Sequence, residues 1–175
     1  MKKWKKAALE MGFTSVSELD PSTLHPEPFV RDMCAADKCH AYGWNWTCPP
    51  ACGTLEECRE RLLCYRRGLL LQTTEKLSGP FDAKGVVNTE RRHLQAFHQF
   101  SDQIRREHPD ALCLGSGGCR ICGQCAYPDP CRFPDRAYSS MEGYGLFVTR
   151  VCRDNQVPYH YGENTITYTA CVLLP

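Results

Sequence analysis

Four cysteines crowd one short stretch of this chain. Residues 115–141 read GSGGCRICGQCAYPDPCRFPDRAYSSM and place Cys119, Cys122, Cys125 and Cys131 in a C-x2-C-x2-C-x5-C run. Thiolates are soft ligands that select zinc, copper(I) and iron–sulfur centres. Three at successive intervals of three can curl around one corner of a cubane, each reaching a different iron of a [4Fe-4S] cluster, with a fourth from further on. Gly117, Gly118 and Gly123 let the backbone turn tightly around such a group, and Pro128, Pro130 and Pro134 stiffen the return path. The bacterial ferredoxin run has three residues before its last cysteine, with a proline directly after it. Here five precede Cys131 and Pro134 follows three residues later, so the first three ligands match best. The alternative is Zn, whose structural sites take two separated ligand pairs. A triple C-x2-C-x2-C suits that layout less well.

A second constellation lies upstream. Cys34, Cys39, Cys48 and Cys52 run through CAADKCHAYGWNWTCPPAC. Four thiolates within nineteen residues offer a second metal site. Cys34, Cys39 and Cys48 are its firmer members. The fourth ligand could be Cys52, Cys58, a non-thiolate such as His40, or none, which would leave an iron open to substrate. Tyr42, Trp44 and Trp46 could shield a cluster from water.

The remaining composition narrows the setting. Thirteen cysteines in 175 residues is a high and odd number. With no export signal legible, metal binding in a reducing cytoplasmic setting is expected rather than a disulfide scaffold. A net charge of +1 gives no argument for nucleic acid. The longest apolar run, GLLL at 68–71, is too short for a membrane span. No nucleotide, zinc-protease or serine-hydrolase motif occurs. Whether the chain is an enzyme, and its oligomeric state, are left open.

The elements that must position these loops follow from periodicity. Residues 1–12 predict a short amphipathic helix with Trp4, Ala8 and Leu9 on one side. Residues 13–33 read as a Pro-rich loop, with Phe29–Arg31 extended. TLEECRERLLCYRR, 54–67, predicts a helix with a Thr54/Glu57 capping box, ended by Gly68. Strands are expected at 68–74, 111–115 and 165–175. Helices are expected at 89–108, capped by Asn88, and at 140–154. His93, His98 and His108 read as lone surface or groove histidines. Cys58, Cys113, Cys152 and Cys171 read as packing residues. Glu142 reads as the partner of an arginine, or else a proton donor. Arg120, Arg132 and Arg136 could offset cluster charge, dock an acidic partner, or simply be solvated.

The fold class expected is α+β (α/β-like): a small sheet of three to four strands, packed helices and two cysteine-rich metal-binding loops. The first strand–helix–strand is expected to form a right-handed parallel crossover. One domain spans 1–175, with a cysteine-rich segment at 1–66 and a sheet/helix core carrying a ferredoxin-like cluster loop at 67–175.

The chain resembles the family DUF2284, described as predicted metal-binding proteins. The C-x4-C…YG…W-x-CPP pattern at Cys34, Cys39, Tyr42, Gly43, Trp46, Cys48, Pro49 and Pro50 carries the likeness, with the GGCRICGQCAYPDPCRFPDRAYSSMEGYG block at 117–145. One departure is Gly143-Tyr144, where relatives tend to have a small residue and then Cys. The resemblance implies metal binding but no reaction. Many relatives come from anaerobes, which suits an oxygen-sensitive cluster. The expected function is an iron–sulfur protein with one or two [4Fe-4S] clusters acting in electron transfer with a redox partner protein. The alternatives are a small iron–sulfur enzyme with an open-site cluster and a zinc-structured interaction module.

Overall fold

Leucines 69, 70 and 71 explain the architecture. In a strand, successive side chains point to opposite faces, and all three are buried. The strand that holds them must therefore be covered on both sides. A computed structural model describes residues 1–175 and bears this out. Four strands, β1 (Ser15–Leu19), β2 (Arg67–Lys76), β3 (Leu112–Leu114) and β4 (Thr165–Leu174), form one sheet in the order β1-β2-β4-β3. Every neighbouring pair is antiparallel, with Leu70 opposite Cys171 and Cys113 opposite Val172.

One face carries Leu69, Leu71, Ala170 and Val172 against α1 (Lys2–Glu10) and α4 (Ala83–Glu107). The other carries Leu70, Cys171 and Leu173 against α3 (Leu55–Leu62), α5 (Val148–Asp154) and the buried turn residues Met141, Tyr144 and Leu146. The helix α2 (Pro28–Ala35) completes the set of elements. The fold is α+β, as expected. No helix is long and apolar enough to cross a membrane.

Several local expectations hold. Thr54 caps α3 with the reciprocal Glu57 bond of a capping box. The strands fall at 67–76, 112–114 and 165–174. Cys58, Cys113, Cys152 and Cys171 are buried in the two cores.

Other expectations are corrected. The crossover from β2 through α4 reaches a strand running parallel to it, but β4 sits between the two, so the unit is split. The 13–33 segment contains β1, and Phe29–Arg31 lie in α2. Pro28 opens that helix, where a proline costs no hydrogen bond. The α3 helix stops at Leu62, and Gly68 lies inside β2. Asp82, not Asn88, caps α4 by accepting from the Gly85 N–H. The helix expected at 140–154 begins only at Val148. The turn before it needs Gly145 in the left-handed region at φ +76°, where an added Cβ would also meet Leu55 Cδ1. On α1, Trp4 and Ala8 are buried but Leu9 is half exposed. His93 is wholly buried. It lies on the same α4 face as Ala96, Phe97 and Phe100, and its Nδ1 is 3.0 Å from Thr73 Oγ1.

Candidate metal centre

The 115–141 stretch leaves the sheet at the end of β3 and returns to it. The Gly115 N–H donates to Ser139 O at 2.8 Å, and the Met141 N–H donates to Gly115 O at 3.0 Å. These bonds pinch the base of an excursion that carries all four cysteines of the run. Between them lies no α-helix or strand, only a 3-10 turn at Pro134–Arg136. Backbone groups there must find partners elsewhere.

The upstream cysteine segment supplies some of those partners. Asn45 Nδ2 donates to Cys119 O at 2.9 Å. The Cys119 N–H donates to Thr47 Oγ1, also at 2.9 Å. Trp46 Nε1 donates to Asp129 O at 2.8 Å, and the Trp46 and Tyr127 rings meet edge to face at 5.1 Å. Asn45 and Thr47 are both buried, so these bonds act where an unmade one is costly. Gly118 also lies against the upstream segment. A Cβ added there would lie 2.9 Å from Cys48 Sγ.

Cys119, Cys122, Cys125 and Cys131 line one cavity together with Trp46 and Phe133. Burial pushes the Cys119 thiol up, an N–H from Ile121 opposes that, and the sulfurs of Cys131, Cys122 and Cys125 raise it further. The enclosed volume is about 20 Å³, close to that of one water-sized occupant. A cubane therefore requires the loop to open outward around it, and a loop without helix or strand can do so. The donor set itself fits a cluster in number and softness. Neutral thiols must lose protons on metal binding.

Cys34, Cys39 and Cys48 also fall within one another's field. Burial raises the Cys34 thiol; Glu142 and Cys39 add to this while Arg31 opposes it. Burial pushes Cys48 up to about 11; the Thr47 side chain opposes this, while Cys39, Cys34 and Cys119 add to it. Cys52 sits deeper, pushed up to about 12 by burial, with Arg31 opposing and Cys58 and Cys48 adding. Its thiol donates to Gly143 O at 3.4 Å. Arg31 Nη2 donates to Cys58 Sγ at 3.2 Å and to Gly53 O at 3.0 Å. Cys52 thus faces Cys58 and Arg31 as well as Cys48. No three His, Cys, Asp or Glu side chains already converge in the geometry of a bound ion. All thirteen cysteines are free thiols.

A family model described as "Predicted metal-binding protein (DUF2284)" matches residues 17–174. The chain belongs to this family. Both cysteine segments and all four strands but the first two residues of β1 fall within the matched span. No curated protein and no solved structure matches the chain.

Three charged groups depart from expectation. Glu142 pairs with no arginine; burial holds its carboxyl above the ordinary range, and Oε2 has no hydrogen-bond partner. Arg120 and Arg136 are paired with Glu90 and Asp102, at 3.4 and 3.8 Å. Only Arg132 of the three arginines lines the Cys119–Cys131 cavity. The clamp residues Asn45 and Thr47 are interleaved with the aromatics of YGWNWTC. Their signal is slight: two small polar side chains alternating with tryptophan ahead of Cys48.

Proposed function

We propose that the chain is an iron–sulfur protein holding a [4Fe-4S] cluster on Cys119, Cys122, Cys125 and Cys131. A second site is assigned to Cys34, Cys39 and Cys48, with Cys52 as its fourth ligand. The observation that carries this reading is that four cysteines of one loop line a single cavity. Such a cluster, when bound, supplies a one-electron carrier. The chain's own residues hold and shield it. Asn45 and Thr47 fix the backbone at Cys119. Trp46 lines the cysteine cavity and packs edge to face on Tyr127, and less water at a cluster changes its potential. The assigned role is electron transfer with a redox partner protein in the cytoplasm.

Two specific observations favour other readings. The 20 Å³ volume within the Cys119–Cys131 cavity is nearer the size of a single zinc ion than of a cubane. A larger cavity, about 520 Å³, lies between the two cysteine sets and is lined by Cys39, Trp44, Arg120 and Cys122. That volume favours an enzyme whose open-site cluster receives a substrate.

The test is purification without oxygen, a visible spectrum, and assays of iron, sulfide and zinc. About eight irons per chain mean two cubanes and about four mean one. Cys122→Ser is expected to remove one cluster's worth of iron and sulfide. Stoichiometric zinc in a colourless protein, or iron unchanged in Cys122→Ser, refutes the assignment.

A further inference from the structure

A separate cavity lies behind the cysteine loops. It has a volume of about 250 Å³, some eight times a water molecule's share of the liquid, about 30 Å³. Glu90 of α4, Ser116 at the neck of the loop, Glu142 from the following turn, and Thr167 and Tyr168 of β4 line it, with Tyr159 beside them. None of its lining side chains carries a nitrogen. Its polar atoms are carboxylate and hydroxyl oxygens.

Two of those oxygens are unsatisfied. Glu142 Oε2 and Ser116 Oγ are both shielded from solvent, and neither has a hydrogen-bond partner. Buried polar atoms normally find partners, and each exception calls for an explanation. Here the two residues that carry them line the same cavity. Glu90 already engages Arg120, and Thr167 Oγ1 lies 2.9 Å from Thr74 Oγ1, so Glu142 and Ser116 hold the unused accepting capacity.

The lining selects what fits. A ligand that satisfies Glu142 must donate a hydrogen bond, and the two carboxyl groups of the lining favour positive charge. A divalent ion needs a converging set of oxygen ligands, whereas no three acidic, histidine or cysteine side chains converge here. The Tyr159 and Tyr168 rings add aromatic faces of the kind that attract cations. We propose that this cavity binds a small organic ammonium ion, its N–H groups on Glu142 and Ser116 and its carbon body against Tyr159 and Tyr168. The site stands whichever metal the cysteines hold.

The test uses the protein as purified with its metal, titrated calorimetrically with ethylammonium chloride. Magnesium chloride and tetramethylammonium chloride at matched ionic strength serve as comparisons. Saturable ethylammonium binding is expected at about millimolar concentration, as for a ligand of few atoms. Tetramethylammonium, which cannot donate a hydrogen bond, is expected to bind more weakly. Glu142→Gln keeps the shape and is expected to weaken ethylammonium roughly tenfold or more, the loss typical of one charge-assisted bond. Tyr159 is 45 % exposed, so Tyr159→Ala leaves the core intact and is expected to weaken binding by a smaller factor. Metal content and visible spectrum are expected to stay unchanged in Tyr159→Ala. Absence of saturable binding overturns the proposal, as does equal affinity in Glu142→Gln and Tyr159→Ala, or magnesium binding in place of ethylammonium.

Discussion

Acidification is expected to destabilise this protein through His93. The side chain is wholly buried on α4. Phe13, Thr73 and Tyr168 surround it, and no carboxylate is there to stabilise an imidazolium. Burial alone lowers its pKa from 6.5 to about 4. With the folded value depressed, the unfolded chain binds the proton more readily. The contribution to stability is therefore complete above pH 6.5 and is lost as pH falls from there towards 4. At about 1.4 kcal/mol for each tenfold change in proton affinity, the full displacement amounts to about 3 kcal/mol. About 2.5 kcal/mol of it is gone by pH 4.5. The assay is urea unfolding followed by far-ultraviolet circular dichroism at pH 7.5, 5.5 and 4.5, for the native sequence and for His93→Gln. Carboxylates and metal ligands titrate in both proteins, so the difference between them isolates His93. That difference is expected to shift by about 2.5 kcal/mol across the range, in favour of the variant at low pH. A difference constant to within about 0.5 kcal/mol refutes the reasoning, as does a histidine NMR titration showing every histidine midpoint near 6.5.

Two further predictions concern the loops. Gly118→Ala drives a Cβ to within 2.9 Å of Cys48 Sγ. It is expected to cost about 1–3 kcal/mol of overpacking and to lower metal content per chain, measured by metal analysis beside the thermal midpoint. Thr54→Ala removes the acceptor of the Glu57 N–H and is expected to cost about 1 kcal/mol, seen as a fall in thermal midpoint of about 2–4 °C with metal content unchanged.

What could be read from residues alone was what is decided locally. Thr54 and Glu57 find each other within one turn of chain, and Leu69–Leu71 announce a strand by their own apolarity. The C-x2-C-x2-C spacing likewise lies within a single loop. Long-range pairing was hidden. The β1 strand, SVSEL, has little β character of its own and exists because Leu69–Gln72 offer it a partner edge. The placing of β4 between β2 and β3 depends on which edges remain free. Pro28 signals a turn, yet the same fixed φ suits the first turn of a helix. His93 shares its helical face with Ala96, Phe97 and Phe100, so the 3.6 period pointed inward, but the side chain's polarity outweighed that pattern. The grip of Asn45 and Thr47 on Cys119 joins segments more than seventy residues apart, and no spacing rule reaches that far.

The position of β4 bears on how the protein is made. It is an interior strand of the sheet, flanked by β2 and β3, yet it follows both cysteine segments along the chain. During synthesis those thiols leave the ribosome before β3, from which the 115–141 loop springs, has its only partner strand. Until Thr165–Leu174 arrive, the loop hangs from a three-residue edge with no neighbour. Metal delivered at that stage meets a tether with no pre-shaped grip, so loading belongs after Thr165–Leu174 have joined the sheet.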